Sequence, residues 1–292
     1  METNIAINLA QGNLLLADGG TGSMLMEAGL PPGFPPEAWN VEHPEQVLAL
    51  HHAYLEAGSQ VILTNTFGGN RIKLAKFGMG ESAREFNLSA VKLARQAADG
   101  KAYVAGDIGP CGEMIAPMGK LTYDLAFETF SEQATALVEG GVDLIWVETM
   151  SDLNEARAAV VGARQATDLP IFCSLSFGKK ARTMMGVSPR QAAQELWPLG
   201  LNAIGANCGE GLEMIPEVLK QMREVLPNAP LIAKPNAGLP RLAQGKTVYD
   251  QQPAEFASRM VEFIALGAQV VGGCCGSGPA HIAALSKSIT SR

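Results

Sequence analysis

Short apolar runs alternate along this chain with longer stretches whose apolar positions recur at helical spacing, and the alternation repeats from end to end. The runs fall at 13–17, 61–65, 103–107, 144–149, 171–176, 203–207, 231–235 and 269–272, and they predict eight strands. The amphipathic stretches fall at 44–57, 81–98, 123–140, 152–167, 188–198, 211–226, 253–266 and 279–289, and they predict eight helices, several opened by Asp, Ser or Pro. Strands joined by helical crossovers pair in parallel, and a parallel sheet needs both faces covered. Polar residues mark the strand ends: Asp18, Asn65, Asp107, Glu148, Ser176, Asn207, Asn236 and the pair Cys274 and Cys275. A closed (β/α)8 TIM barrel brings such positions together on one face, whereas an open sheet spreads them along an edge. The expectation is therefore an α/β chain folded as one barrel domain over 1–292, with the long segments 21–40 and 67–80 forming a lid or rim.

Composition narrows the class of partner. With 22 Lys+Arg against 29 Asp+Glu the net charge is -7, which works against tracking a phosphate backbone, so no nucleic-acid partner is expected. No apolar run approaches the roughly 20 residues of a membrane span, and Met1-Glu2-Thr3-Asn4 carries no basic region ahead of an apolar stretch. A cytoplasmic protein without membrane association is expected. Five cysteines is an odd number, and adjacent Cys274 and Cys275 cannot bridge each other without strain, so a disulfide framework explains them poorly.

The placement of three cysteines suggests a metal site instead. Cys208 follows the sixth strand in Gly205-Ala206-Asn207-Cys208-Gly209, and Cys274 and Cys275 follow the eighth in Gly272-Gly273-Cys274-Cys275-Gly276. Three thiolates meeting at a barrel mouth suit Zn2+, with a fourth position left for water or substrate. The flanking glycines allow the sharp bend that adjacent ligands require. Buried free cysteines commonly serve as small hydrophobes, and Cys173, inside the fifth strand, is read that way. Cys111 is left open between packing and chemistry.

These residues resemble the zinc-dependent homocysteine S-methyltransferases. The similarity runs through Leu16-Ala17-Asp18-Gly19-Gly20-Thr21-Gly22, Leu63-Thr64-Asn65-Thr66-Phe67, Gly106-Asp107-Ile108-Gly109-Pro110, Val147-Glu148-Thr149, Gly205-Ala206-Asn207-Cys208, Lys234-Pro235-Asn236-Ala237-Gly238 and Gly272-Gly273-Cys274-Cys275-Gly276. Within the family, the chain is most similar to the homocysteine-binding domain of cobalamin-dependent methionine synthase. The resemblance implies a (β/α)8 barrel whose zinc is held by Cys208, Cys274 and Cys275. It further implies that homocysteine binds as a zinc-held thiolate and is methylated to methionine. A free thiol has a pKa around 8.5 and is mostly protonated at neutral pH, so the metal makes the nucleophile and no general base is needed. His43, His51, His52 and His281 are accordingly read as structural or surface residues.

By the same resemblance Glu148 matches the residue that binds the substrate ammonium, with Asp18 the other acid near it. Backbone N–H groups of Gly19, Gly20 and Thr21 form a turn suited to the substrate carboxylate, and Asn207 is counted among the substrate contacts. Asn236 is similar to an asparagine that can take the fourth zinc position before homocysteine displaces it. Asp107 is left open between bonding to loops and facing the methyl donor.

The donor is the least legible part. The betaine-using branch encloses a quaternary ammonium with aromatic rings, but Gly68 and Thr149 stand where that branch carries tyrosines. Phe34 and Trp39 remain, read equally as rim packing. The favoured donor is therefore methylcobalamin supplied by a separate corrinoid protein docking on the C-terminal barrel face, or a small S-methyl compound. One barrel accounts for the 292 residues, so no corrinoid-binding module is expected in this chain. The alternatives are a betaine-type methyltransferase, a lyase with Glu148 as base, and a non-catalytic thiol- or zinc-binding barrel. Monomer and dimer both remain open.

Overall fold

A computed structural model describes residues 4–243 and 246–290. Met1, Glu2 and Thr3, part of the segment read above for a leader, lie outside the described residues. Strands are numbered here in chain order: β1 Leu15–Leu16, β2 Val61–Leu63, β3 Tyr103–Ile108, β4 Leu144–Met150, β5 Ile171–Leu175, β6 Ala203–Cys208, β7 Leu231–Pro235, β8 Arg241–Ala243, β9 Lys246–Val248 and β10 Ala268–Val271. Eight of them form one parallel sheet in the order β1-β10-β7-β6-β5-β4-β3-β2. A parallel bridge between Ala17 and Val61 joins the two end strands, and the sheet closes into the expected barrel. The eighth predicted strand is thus β10.

Closure sorts the apolar residues into two cores. Inside the barrel, Leu15, Ala17, Val61, Leu63, Tyr103, Ala105, Leu144, Trp146, Phe172, Ala203, Ile232 and Val270 pack together. The larger core lies between strands and helices, where the buried stripe of helix Ala83–Ala98 and of helix Tyr123–Gly140 meets the outward face of the sheet. Local chemistry sets the helix starts: the Thr122, Asp152 and Ser188 side chains each accept a backbone N–H in the first turn that follows.

Two elements have no counterpart in the sequence reading. Helix Ile5–Ala10 turns Ile5 and Leu9 into the barrel-interior core, and Leu9 C=O accepts a hydrogen bond from Gln269 in β10. Strands β8 and β9 form an antiparallel hairpin in the connection after β7. The segment 21–40, expected as lid or rim, contains helix Thr21–Glu27 and the turn Pro36–Ala38. Trp39 is 6% exposed among Leu25, Leu30 and Val47, so the rim-packing reading of that ring holds. Segment 67–80 contains helix Arg71–Ala75. Among the described residues no helix is long and apolar enough to cross a membrane.

Candidate metal centre and substrate pocket

The ends of β6 and β10 build the cysteine cluster. Cys208 closes β6 in the left-handed region at φ 57, followed by Gly209 at φ 66, so the chain turns sharply as it leaves the barrel. Cys274 and Cys275 occupy the turn after β10. That turn is tied down by Cys274 N–H to Pro235 C=O at 2.8 Å and by Ala237 N–H to Cys275 C=O at 3.0 Å. The sulfurs of Cys208, Cys274 and Cys275 all lie within 4.8 Å of one another. Tetrahedral zinc with sulfur at roughly 2.3 Å needs ligand sulfurs roughly 3.8 Å apart, so the three residues fit that ion. The thiols of Cys274 and Cys275 donate to the Cys208 sulfur and hold its pKa well below the usual thiol range, while the same contacts push their own upward. Cys173 and Cys111 are fully buried and lie outside it, their thiols pushed up by burial first, Cys173 to about 12.

Polar side chains from four strands fill the top of the barrel interior beside the cluster. Lys234 of β7 is 2% exposed, with its Nζ 3.2 Å from Asp18 Oδ1, 3.9 Å from Glu148 Oε2 and 4.9 Å from the Trp146 ring centre. Burial alone would lower the lysine's pKa, but the Asp18 and Glu148 carboxylates raise it and keep it charged. Desolvation pushes Glu148 up to about 7, with Lys234 pulling the other way. Asp107, at the end of β3, is raised by burial and next by Glu148. Oδ1 of Asp107 and Oε2 of Glu148 are buried without a hydrogen-bond partner.

The structure redistributes several expected roles. Asp18 uses Oδ2 on the Leu63 N–H at 2.7 Å and Oδ1 on Lys234, so both oxygens are engaged within the protein. Gly20 N–H, one of three donors expected for a substrate carboxylate, instead bonds Ser277 C=O at 2.9 Å. What Gly20 supplies is closeness: a Cβ there would sit 2.5 Å from the Cys274 carbonyl oxygen. Gly19 and Thr21 flank it at the mouth, Thr21 opening the helix that Gly20 caps.

Asn207, expected as a substrate contact, is 1% exposed and fully used. Its Oδ1 accepts from Thr149 N–H and Ser174 Oγ, both at 2.8 Å, and its Nδ2 donates to Thr149 Oγ1 at 2.6 Å and to Cys274 Sγ at 3.8 Å. It therefore braces the turn at Thr149, which has φ 62, against the cysteine cluster. Asn236 accepts the Cys275 N–H on Oδ1 at 3.1 Å and donates from Nδ2 to Gly209 C=O at 3.2 Å. Its oxygen is thus engaged with the ligand turn, and reaching a metal would require giving up that bond.

Sequence reasoning missed Lys234 and Tyr249. Lys234 stood in a quoted motif, and a lysine in an otherwise apolar strand was the available signal. Tyr249 follows β9, hydrogen-bonds Cys275 and lays its ring against Gly276, where a Cβ would come within 2.2 Å of it. Nothing local marked it. The histidines stand apart from the cluster: His51 is buried, its pKa lowered by desolvation to about 4, and His281 links Gly278 N–H to the Gln251 carbonyl.

A family model described as homocysteine S-methyltransferase matches residues 15–289. The methionine synthase of Mycobacterium leprae is 32% identical over 96% of this chain, and that of Mycobacterium tuberculosis 33% identical over 84%. The chain spans about a quarter of those relatives, 24% and 22% of their lengths. Among solved structures, the metallated form of the homocysteine methyltransferase MmuM from Escherichia coli matches over 98% of this chain and 99% of its own. The TM-score is 0.83 at 23% identity, a likeness of fold.

Proposed function

The chain belongs to the homocysteine S-methyltransferase family, and from that premise we propose that it methylates the thiol of homocysteine to give methionine. The observation that carries the reading is the cluster of three cysteine sulfurs within 4.8 Å at the mouth of the barrel, beside a pocket of buried carboxylates. Cys208, Cys274 and Cys275 would hold Zn2+, which when bound supplies the charge that keeps a substrate thiol deprotonated at neutral pH.

The chain's own residues then do the positioning. Glu148, fixed at the end of β4 and paired at 3.9 Å with Lys234, receives the substrate ammonium. The turn Gly19 to Thr21 faces the substrate carboxylate through the N–H groups of Gly19 and Thr21. Asp18 acts through Lys234, whose charge it balances. Asn207 and Tyr249 hold the sulfurs in place through hydrogen bonds. In the transfer, the substrate sulfur forms its bond to the methyl carbon as the donor's bond to that carbon breaks, and the electron pair leaves with the donor. No side chain has to move a proton in that step, which suits a site with no histidine.

For the donor we favour a methylcorrinoid carried by a separate protein that docks over the C-terminal barrel face, or a small S-methyl compound. Supporting this, Trp39 is buried among Leu25, Leu30 and Val47, so its ring is taken up by packing rather than offered to a quaternary ammonium. The free thiols suit a reducing, cytoplasmic setting. The test measures bound zinc in protein purified under reducing conditions. It then follows methionine formation from homocysteine with methylcobalamin, methylated corrinoid protein, S-methylmethionine, glycine betaine and dimethylsulfoniopropionate. Stoichiometric zinc and turnover with a corrinoid or S-methyl donor are expected. Protein without zinc, or with no methyl transfer from any donor, would refute the reading, and equal turnover with betaine would overturn the choice of donor.

A further inference from the structure

The two partnerless carboxylate oxygens at the top of the barrel point to a binding residue that the family comparison does not assign. We propose that Asp107 is a second carboxylate for the substrate ammonium, closing on it from the side opposite Glu148; the inference rests on the homocysteine reading above.

Asp107 lies directly beside Trp146 in the β3–β4 register, and Glu148 is two residues further along β4 on the same interior face. Diagonal neighbours of this kind sit roughly 7–8 Å apart at Cα. At that spacing an aspartate and a glutamate reaching toward each other leave room for one ammonium between them. The Asp107 backbone is held rigidly: its N–H donates to Thr64 Oγ1 at 3.0 Å, and its C=O accepts from Thr66 Oγ1 at 2.7 Å. Its side chain has no such tie. The residue is 5% exposed, Oδ1 is buried without a hydrogen-bond partner, and among the described residues no lysine, arginine or histidine nitrogen lies within 4.0 Å of it.

A buried acceptor left unsatisfied is costly, and here two such oxygens belong to residues that are near neighbours across β3 and β4 and feel each other's charge, so one ligand group satisfying both is the economical explanation. Lys234 does not provide it. Its ammonium is committed to Asp18 at 3.2 Å and approaches Glu148 Oε2 only at 3.9 Å, outside hydrogen-bond range. Asp18, Asp107 and Glu148 therefore share one lysine, too little positive charge to hold all three ionised, and a cationic ligand group would supply what is lacking. An α-ammonium has three N–H donors, enough for both orphan oxygens with one to spare. A thiol that lacks this group would leave both oxygens unfilled, so Asp107 makes the pocket selective for an amino-acid thiol over its desamino counterpart.

The experiment compares homocysteine with 4-mercaptobutyrate, which keeps the thiol and carboxylate and lacks the amino group. Binding is measured by calorimetry to zinc-loaded wild-type protein and to Asp107→Asn and Asp107→Ser, each checked for bound zinc and thermal stability. Homocysteine affinity should fall about tenfold in both variants while 4-mercaptobutyrate affinity stays within twofold, and Glu148→Gln should show the same selectivity. Homocysteine binding unchanged within twofold, or an equal loss for both thiols, would overturn the proposal, and loss of zinc or fold in both variants would assign Asp107 a structural role instead. Wild-type protein that binds the two thiols equally would sink the ammonium site while leaving the thiol reading intact. Protein that binds neither would sink the homocysteine reading itself.

Discussion

Replacing Lys234 with methionine keeps the length of the side chain and removes the one cation among the buried carboxylates of the barrel mouth. At 3.2 Å from Asp18 the ammonium contributes about 5 kcal/mol of attraction at an effective dielectric of about 20. Leaving Asp18 buried and uncompensated should cost about 3–5 kcal/mol of stability, the usual range for breaking a buried pair from one side. In a protein of this size that corresponds to a fall in Tm of about 5–8 °C. The loss should depend on pH with a definite sign. Burial already raises the Asp18 pKa against the pull of Lys234, and without the lysine it rises further above its unfolded value of about 3.9. A carboxyl whose folded pKa is raised binds more protons folded than unfolded between those two values. The variant is thus least stable above the folded pKa and regains stability as pH falls toward the unfolded one. Urea unfolding of metal-free wild type and Lys234→Met at pH 5 and pH 8 measures this, and adding Asp18→Asn to Lys234→Met should restore at least half of the loss. A cost below about 1 kcal/mol, or one equal at both pH values, would refute the argument that this ion pair holds the strand ends together.

Other perturbations separate the cluster from its surroundings. Cys208→Ser should reduce bound zinc well below one equivalent, whereas Cys173→Ser should leave metal content unchanged and lower only stability; metal analysis of the two side by side decides whether the sulfurs act by position. Tyr249→Phe keeps the ring against Gly276 and removes the hydroxyl at Cys275, so zinc affinity measured by chelator competition should change about tenfold with little change in Tm. Glu155, which accepts the Cys111 N–H at 2.8 Å, has its carboxyl pushed up by burial to about 7. Its stabilising contribution is present below the unfolded pKa and lost as pH rises through about 7, so Glu155→Gln should flatten the decline in wild-type stability between pH 5 and pH 8.

The parts of the fold that depend on periodicity were legible before any coordinates. Runs such as 144–149 and 203–207 became β4 and β6 within a residue or two because a strand buried on both faces reads as a nearly continuous apolar run, broken here only toward the ends by Glu148, Thr149 and Asn207. Helix Ile5–Ala10 escaped notice because six residues are too few for a helical period to stand out, and its reason for being is the open lower end of the barrel, which exists only after closure. The hairpin β8–β9 lay inside a connection with no strong alternation of its own.

The sequence by itself determined that eight strand ends would meet on one face and that Cys208, Cys274 and Cys275 would be among what they bring there, since both follow from where residues sit along their own strands. Only the tertiary structure decided how the polar atoms at that face share their bonds. Asn207 and Asp18 were natural candidates for substrate until the structure showed their oxygens engaged by Thr149, Ser174, Leu63 and Lys234, and Asp107 gained its interest from an oxygen with no partner. Spacing along a chain carries direction and period, but the occupancy of a hydrogen-bond acceptor depends on neighbours from β2, β4, β5 and β7 that come within reach only when the sheet assembles and closes on itself.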